Sequence, residues 1–170
     1  MTAKPVAGPP GAAAPLTVNL GGGVIVPYPE PKDEAATKIG KANRRKDTKL
    51  EVRLRSALHR RGLRFRKDHL LRSGDLRVRP DIVFSRARVA VFADGCFWHG
   101  CPEHQHVPQR NQSYWVPKLQ KNVERDRRVD AALTQQGWEV IRVWEHADLE
   151  GSVDLVEQVV RKRAGERARR

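Results

Sequence analysis

The segment from Asp94 to His104 holds both cysteines of the chain, two of its six histidines and the adjacent aromatic pair Phe97 and Trp98. Metal binding, catalysis and stacking on bases are the main pressures that place such residue types side by side. The segment has too few aliphatic residues to form a core of its own. We therefore expect it to be a loop whose shape is fixed by a bound metal or by the surrounding domain.

The chain is strongly basic, with a net charge of +13 over 170 residues and a pI near 10.5. Clustered lysines and arginines neutralise phosphates and release counterions, so a nucleic acid is the first partner to expect. Charge indicates this broad class of partner, and it does not indicate the chemistry.

The same sequence predicts a cytoplasmic protein. It contains no apolar run of about 18 residues, so we expect no membrane span. Its N-terminus lacks a basic start followed by an apolar stretch, which argues against a secretory signal. Cys96 and Cys101 suit metal binding in a reducing compartment better than a disulfide framework.

Composition changes along the chain and predicts its domain organisation. Residues 1–35 contain seven prolines and five glycines and carry no net positive charge, so we expect a disordered tail over residues 1–38. Residues 24–26 fit a short strand, although nothing beside them indicates a partner. One folded domain is expected over residues 39–162. The basic residues 163–170 fit either a tail that contacts phosphates or a solvated helix end that frays.

Hydrophobic periodicity predicts the first elements of this domain. Thr48 and Glu51 form a capping box that opens a helix with an apolar stripe, and Gly62 ends this helix. Glu51 is either only a member of that box or also a residue that reaches a metal through water. Residues 63–66 alternate like a half-buried strand, and residues 68–77 are expected to form a loop.

The rest of the domain is expected to alternate strands with helices. Residues 80–84 and 89–93 predict two strands of a hairpin. A long helix over residues 114–136 ends at Gly137, and residues 138–144 form a further core strand. The last helix carries an apolar stripe of Val153, Leu155, Val156, Val159 and Val160. The order α-β-β-β-α-β-α predicts an α/β domain with a mixed sheet.

The spacing of Cys96, Cys101 and His104 predicts a metal site. These residues offer three soft or borderline ligands, whereas zinc prefers four in a tetrahedron. The alternative interpretation is a pair of buried free cysteines beside surface histidines. A zinc site closed by four protein ligands would be structural, because it leaves no position for a substrate.

Three histidines compete to supply the fourth ligand. His146 follows the strand that ends at residue 144, from where the chain can return to the loop. His106 and His99 lie closer in sequence to the cysteines. The residues alone leave this choice open.

Two acidic residues are expected to meet at one end of the predicted hairpin. Asp81 begins one strand and Asp94 ends the other, so antiparallel pairing makes them neighbours. Two carboxylates in a strongly basic chain suit Mg²⁺ beside a phosphate, and plain surface aspartates are an equal alternative. His99 is a candidate general base, because a histidine ordinarily titrates near neutral pH.

The predicted long helix carries an acid within basic surroundings. Asp126 lies between Arg125 and Arg127, which fits either a solvated helix face or a carboxylate that orients His99 as in a catalytic triad. One face of this helix is basic and suited to phosphate contacts, through Lys118, Lys121, Arg125 and Arg128.

Five blocks of the sequence carry a resemblance to a known family: Arg79–Phe84, Val91–His104, Tyr114–Trp115, Lys121–Arg128 and Gly137–His146. In their order and spacing they resemble the very-short-patch repair (Vsr) endonuclease family. The Cys-Phe-Trp-His block is the most specific of the five. The resemblance extends back to the helix that Thr48 opens.

This resemblance implies an α/β fold with a restriction-endonuclease-like core, in which helices flank a mixed central sheet and a structural zinc is bound. It also implies a DNA mismatch repair endonuclease that depends on Mg²⁺. Such an enzyme nicks the phosphodiester 5′ of the thymine in a T·G mismatch, which arises when 5-methylcytosine deaminates. The implied partner is double-stranded DNA carrying that mismatch, with mismatch-repair proteins as possible partners. The enzyme would act as a monomer in the bacterial cytoplasm and at the nucleoid.

By motif position, the resemblance also implies catalytic roles. Asp81 would be the main Mg²⁺ ligand, beside the backbone carbonyl of Ala93. His99 would activate the water, and Asp126 would support His99. Glu51 would act in the outer shell of the metal.

The resemblance further implies how the DNA is held. Phe97, Trp98 and Trp115 would form an aromatic wedge that enters the base stack beside the mismatch, where unstacking costs least. The alternative for these aromatic residues is packing in the core. The implied phosphate contacts come from Lys121, Arg125 and Arg128.

Two departures from the family pattern matter. Asp94 stands where the best-studied type of member has a histidine, so we expect Asp94 to bind Mg²⁺ directly. The zinc ligands also differ in type, and the set that fits best here is Cys96, Cys101, His104 and His146.

Two other functions fit the same residues. One is a restriction-like endonuclease with a different DNA target. The other is a zinc-stapled DNA-binding module without catalysis.

Overall fold

The computed structural model describes residues 17–19, 25–27, 47–104 and 107–169. The helices within these ranges are α1 (Lys49–Arg60), α2 (Gln112–Gln135) and α3 (Leu149–Ala168). The strands are β1 (Thr17–Asn19), β2 (Ile25–Pro27), β3 (Leu71–Ser73), β4 (Leu76–Val78), β5 (Ile82–Phe84), β6 (Val89–Asp94) and β7 (Glu139–Trp144). Across the described ranges, each helix is too short or too polar to cross a membrane.

The central sheet has three strands in the order β5-β6-β7. β5 and β6 are antiparallel, with Ile82 opposite Val91, whereas β6 and β7 are parallel, with Asp94 opposite Trp144. Parallel neighbours need a long crossover connection, which α2 provides between β6 and β7. The predicted α/β domain with a mixed sheet is therefore confirmed.

Helices cover both faces of this sheet. On one face α1 and α3 pack against the strands, and Leu54, Ile82 and Val156 have no exposed surface there. On the other face Leu133 of α2 packs with Val83 and with the hairpin formed by β3 and β4. Full burial of one such side chain contributes about 1.5–3 kcal/mol. The two clusters hold the strands between the helices, so the ends of the strands have fixed positions.

The N-terminus of α1 is the capping box that the sequence predicts. The Glu51 backbone N–H donates to Oγ1 of Thr48 at 3.3 Å, and Oε1 of Glu51 accepts from the Thr48 N–H at 3.3 Å. At the other end Gly62 has a φ of +78°, in the left-handed region that favours glycine. The helix ends there, as expected.

The hairpin β5–β6, helix α2 and strand β7 are also found within a few residues of their predicted bounds, and the last predicted helix is present as α3. One detail of α3 was wrong, because Leu155 is 49% exposed. Val153, Val156 and Val160 form the buried stripe, and Leu155 falls on another side of the helix. The helix continues to Ala168, which places basic residues of the predicted C-terminal tail in its last turns.

Two predictions between α1 and β5 were wrong. Residues 63–66 form no strand, because the pairing there is limited to a single bridge between Arg66 and Val83. Residues 68–77 were expected to form a loop but contain the hairpin of β3 and β4. Its turn includes Gly74, whose φ of +56° suits a tight reversal.

The N-terminal region contains one pairing that the sequence did not indicate. β1 and β2 are antiparallel, with Val18 opposite Val26. The strand expected at residues 24–26 is therefore present with a shift of one residue, and it has a partner. The other residues of the predicted tail over residues 1–38 lie outside the described ones.

Candidate catalytic and metal site at one edge of the sheet

The strand topology gathers the candidate residues at one edge of the central sheet. Asp94 ends β6 and His146 closely follows β7, and these two strands are parallel and in register. Asp81 directly precedes β5, which runs antiparallel to β6. The carboxyl ends of β6 and β7 and the start of β5 therefore lie together.

Four of the predicted metal ligands form one cluster: Cys96, Cys101, His104 and His146. Their ligand atoms all lie within 4.8 Å of one another. Nδ1 of His146 lies 3.0 Å from Sγ of Cys96 and 3.6 Å from Sγ of Cys101. Ligands of a tetrahedral zinc stand roughly 3.3–3.8 Å apart, given typical Zn–N and Zn–S distances. Spacing and donor chemistry both fit a metal ion, and the structure thus brings together the set that the sequence favoured.

The other two candidates for the fourth ligand have different outcomes. His99 points its Nδ1 atom at Asp126 and takes no part in the cluster. His106 lies outside the described residues.

The two thiols of the cluster differ in acidity. Burial raises the pKa of Cys96. Burial also opposes ionisation of Cys101, but backbone N–H groups of His104 and Glu103 outweigh it and lower the pKa of Cys101. The His104 N–H lies 3.4 Å from Sγ of Cys101. The loop thus favours a thiolate at Cys101, the form that binds metals.

His99 and Asp126 form the closest polar contact between the loop and α2. Nδ1 of His99 lies 2.6 Å from Oδ2 of Asp126. Burial opposes the charge on Asp126, but the hydrogen bond with His99 and the charges of His99, Arg142 and Arg125 lower the pKa of Asp126. Asp126 is therefore a carboxylate that can orient the imidazole, as one of its two predicted roles requires.

Asp81 lies beside the last residues of β6. Its Oδ2 atom accepts the Ala93 N–H at 2.8 Å. Burial raises the pKa of Asp81 to about 6 against the effect of that hydrogen bond, and the charges of Glu51, Asp94 and Asp68 raise it further. Several negative charges thus converge on a half-buried carboxylate, and this arrangement suits a divalent cation.

Glu51 is buried, and both of its carboxylate oxygens are hydrogen-bonded at the start of α1. They accept from the backbone N–H groups of Asp47 at 3.0 Å and Thr48 at 3.3 Å. Glu51 also forms an ion pair with Arg55 at 3.4 Å. The capping role is thus observed, and the charge of Glu51 also acts on Asp81.

Phe97, Trp98 and Trp115 form a cluster of aromatic rings outside both hydrophobic cores. Their ring centroids lie 4.8 to 5.8 Å apart. All three side chains are partly exposed, and Nζ of Lys118 lies 5.4 Å from the Trp98 centroid. Asn122 of α2 donates to the Trp98 carbonyl at 3.1 Å and ties this part of the loop to the helix. Core packing thus does not account for these rings.

The basic face of α2 begins beside these rings. Lys118 contacts them, and Lys121, Arg125 and Arg128 follow at helical spacing with exposed side chains. Arg125 also pairs with Asp126 at 3.1 Å. The face therefore continues from the aromatic cluster to the His99–Asp126 pair.

The structure also brings in a residue that the sequence did not single out. Arg142 in β7 pairs with Asp94 at 2.6 Å and with Asp130 at 2.9 Å. Asp94 itself is 3% exposed, and its other oxygen lies 3.6 Å from Nδ1 of His99. An arginine between the apolar residues Ile141 and Val143 of a predicted core strand was the signal that could have revealed this network.

The chain is similar to known DNA endonucleases. The family model described as DNA mismatch endonuclease Vsr matches residues 32–105. The type II nicking enzyme V.NaeI of Lentzea aerocolonigenes is 55% identical over 130 residues, which cover 76% of this chain and 78% of that protein. The DNA mismatch endonuclease Vsr of Escherichia coli (strain K12) is 40% identical over 126 residues, covering 71% and 75%. The type II nicking enzyme V.NmeDIP of Neisseria meningitidis serogroup C is 35% identical over 137 residues, covering 78% and 90%.

The matched family and these relatives show that the chain is a nicking endonuclease, a hydrolase that acts on phosphodiester bonds of DNA. The chain belongs to the Vsr DNA mismatch endonuclease family. This membership sets aside the non-catalytic DNA-binding module that the sequence left open.

Proposed function

We propose that this endonuclease nicks the phosphodiester 5′ of the thymine in T·G mismatches left by deamination of 5-methylcytosine. One observation carries the proposal: the His99–Asp126 pair, the acidic Asp81 and the aromatic cluster lie on one loop and its immediate neighbours. The names of the matched family and of the Escherichia coli relative support the choice of a mismatch as the target.

We assign Mg²⁺ to Asp81 and the backbone carbonyl of Ala93. The N–H and C=O of one strand residue point to the same side, and the Ala93 N–H already bonds the Asp81 carboxylate. Bound there, Mg²⁺ would offset the charge that develops on the phosphate. Glu51 acts electrostatically on Asp81, and we assign it to the outer shell of the metal.

His99 is the general base of the proposed reaction. Asp126 accepts the Nδ1 proton of His99 and so holds the imidazole in the tautomer whose Nε2 is free to take a proton. Nε2 removes a proton from the attacking water. The negative charge of Asp126 then stabilises the imidazolium that forms.

The Cys/His cluster holds a structural zinc in this proposal. Four protein ligands leave no open position, so zinc would supply bonds that fix the loop and not a reactive water. The loop displays Phe97 and Trp98 on one part and His99 on the next. Zinc therefore positions the wedge and the base relative to each other.

The partly exposed Phe97, Trp98 and Trp115 enter the base stack beside the mismatch. A mismatched step costs less to unstack than a paired one, and this difference favours T·G over matched DNA. The basic face of α2 holds the flanking phosphates through Lys121, Arg125 and Arg128.

We further propose that the mixed sheet and its flanking helices form a restriction-endonuclease-like core. The protein acts as a monomer, because a nick in one strand needs one active site, and it works in the bacterial cytoplasm at the nucleoid. Mismatch-repair proteins are its further partners.

A second candidate is a nicking endonuclease with another DNA target. The names of V.NaeI and V.NmeDIP describe type II nicking enzymes and mention no mismatch, which favours this second candidate.

Nicking of duplexes that carry one T·G pair between randomised flanks, followed by sequencing of the products, separates the two. We expect nicks on the thymine strand, 5′ of the mismatched base, with a defined flank preference. Nicks that follow a sequence motif and ignore the mismatch would support the second candidate and contradict the first.

A further inference from the structure

Arg142 lies in the middle of β7 between apolar neighbours, and its side chain is only 17% exposed. Its guanidinium lies 4.8 Å from the ring centroid of Phe92, the residue directly opposite in β6. A charged group at such a position is stable only when its donors are paired. The identity of its partners therefore decides what Arg142 contributes.

Three carboxylates surround this guanidinium. Nη1 lies 2.6 Å from Oδ2 of Asp94 at the end of β6. Nε and Nη2 contact Asp130 of α2 at 3.0 and 2.9 Å. Nη2 also lies 3.4 Å from the Asp126 carbonyl and 3.7 Å from Oδ1 of Asp126. Arg142 thus links β6, β7 and α2 at the site.

Two of these carboxylates also face His99. Nδ1 of His99 lies 2.6 Å from Asp126 and 3.6 Å from Asp94. Two carboxylates this close to one imidazole nitrogen repel each other in a partly buried site. The guanidinium contacts both carboxylates and offsets that repulsion, so both can stay in place beside the imidazole.

The Asp94 carboxylate is already engaged in the ion pair with Arg142. Its Oδ2 atom is bound to Arg142, its side chain is almost fully buried, and its backbone carbonyl accepts the Glu145 N–H at 3.0 Å. A cation at Asp81 would have to compete with Arg142 for the Asp94 carboxylate. Separating a buried ion pair is strongly unfavourable.

From these contacts we infer that Arg142 is a positioning residue of the nicking reaction, and that Asp94 places His99 instead of binding Mg²⁺. Arg142 holds Asp94 and Asp126 against the imidazole and leaves Asp81 and the Ala93 carbonyl as the protein ligands of the cation. The inference rests on the roles proposed above for His99 and Asp126. It replaces the direct Mg²⁺ contact that the sequence suggested for Asp94.

The first test is the steady-state kinetics of Arg142→Met on whichever duplex the wild-type protein nicks. We expect kcat to fall about tenfold or more and KM for DNA to change less than about threefold, because Arg142 acts through the carboxylates beside His99 and its own side chain is only 17% exposed. Adding Asp94→Asn to Arg142→Met should restore part of kcat, since it removes a carboxylate left without its partner.

Arg163→Met is the matched control. Arg163 is also an ion-paired arginine of low exposure, with Nη1 3.1 Å from Glu139, but its partners are outside the site. We expect its kcat to equal that of the wild type.

The second test is Mn²⁺ binding to the full chain, followed by electron paramagnetic resonance, and it does not depend on nicking. Asp94→Asn should change the Mn²⁺ affinity less than about twofold, whereas Asp81→Asn should lose most of the binding. This measurement tests whether Asp94 binds the cation even where Arg142→Met fails to fold.

Two results would overturn the inference: wild-type kcat in Arg142→Met, or a loss of Mn²⁺ affinity in Asp94→Asn as large as in Asp81→Asn. His99→Ala separates this failure from failure of the proposed function. Loss of nicking in His99→Ala would support the assignment of His99 as the general base. Wild-type nicking in that variant would overturn this assignment and, with it, the role inferred for Arg142.

Discussion

Nδ1 of His99 and Oδ2 of Asp126 lie 2.6 Å apart although 27 positions separate the two residues in the chain. The contact joins the loop that follows β6 to α2 and fixes the orientation of the imidazole. Because the loop also carries three residues of the Cys/His cluster and two aromatic rings, any change in its shape would move His99 and these rings together. The positions of His99 and of the two rings are therefore coupled.

Asp126→Asn should lower kcat about 10- to 100-fold with little change in KM for DNA. The amide keeps the shape of the side chain but loses the charge that stabilises a protonated His99. Steady-state nicking kinetics measure the effect. Glu124→Gln, an exposed position on the same helix, is the control and should nick like the wild type. An equal loss of kcat in both variants would indicate that the negative charge of α2 in general is responsible, and not the contact between Asp126 and His99.

Asp81 should make the stability of the protein depend on pH when no divalent cation is added. Its folded pKa of about 6 lies above the ordinary value of 3.8, so the folded state holds this proton more tightly than the unfolded state. The contribution to stability is therefore full below pH 4 and is lost as pH rises through 6, by about 3 kcal/mol in total.

Urea unfolding of the wild type and Asp81→Asn from pH 4 to 8 measures this loss. The difference in unfolding free energy between the two should shift in favour of Asp81→Asn as pH rises. A difference that stays constant across this range would show that the fold does not raise the pKa of Asp81.

The sequence predicted those parts of the fold that depend on local signals. The capping box at Thr48, the β5–β6 hairpin and the amphipathic α3 follow from short-range patterns, and the structure confirms them. The β3–β4 hairpin was missed because its strands are three residues long and its turn signal at Gly74 stood among polar residues.

The candidate site likewise contains features that the sequence predicted and one that it did not. The compact spacing of Cys96 and Cys101 predicted the Cys/His cluster. The residues left the His99–Asp126 pair as one of two alternatives, and the motif resemblance favoured it. The role of Arg142 depends on the register of β7 against β6 and on the packing of α2, which no local pattern contains. Long-range packing of this kind becomes visible only in three dimensions.

The purified protein should contain about one zinc per chain by metal analysis. Cys101→Ser should lose that zinc and lower the free energy of unfolding by several kcal/mol, because the loop has no core to replace the metal. His59→Gln changes an exposed histidine of α1 and should keep the zinc. A wild-type protein without bound zinc would refute the four-ligand site.

The aromatic cluster should determine how strongly mismatched DNA is preferred. Trp98→Ala should reduce the ratio of T·G nicking to matched-duplex nicking about tenfold or more, because stacking on one base contributes about 1–3 kcal/mol. Trp98→Phe keeps an aromatic face and should retain most of that ratio. Fluorescence of 2-aminopurine beside the mismatch, which reports unstacking, should rise with the wild type and with Trp98→Phe but not with Trp98→Ala.

The central claim is that the site at Asp81 nicks DNA at T·G mismatches. Its most direct test is the single-turnover nicking rate in Mg²⁺ for a T·G duplex and the matched T·A and C·G duplexes, with wild type and Asp81→Asn side by side. We predict fast nicking of the T·G duplex alone by the wild type, and none by Asp81→Asn although it still binds the DNA. Equal rates on matched duplexes, or nicking that survives in Asp81→Asn, would contradict the account.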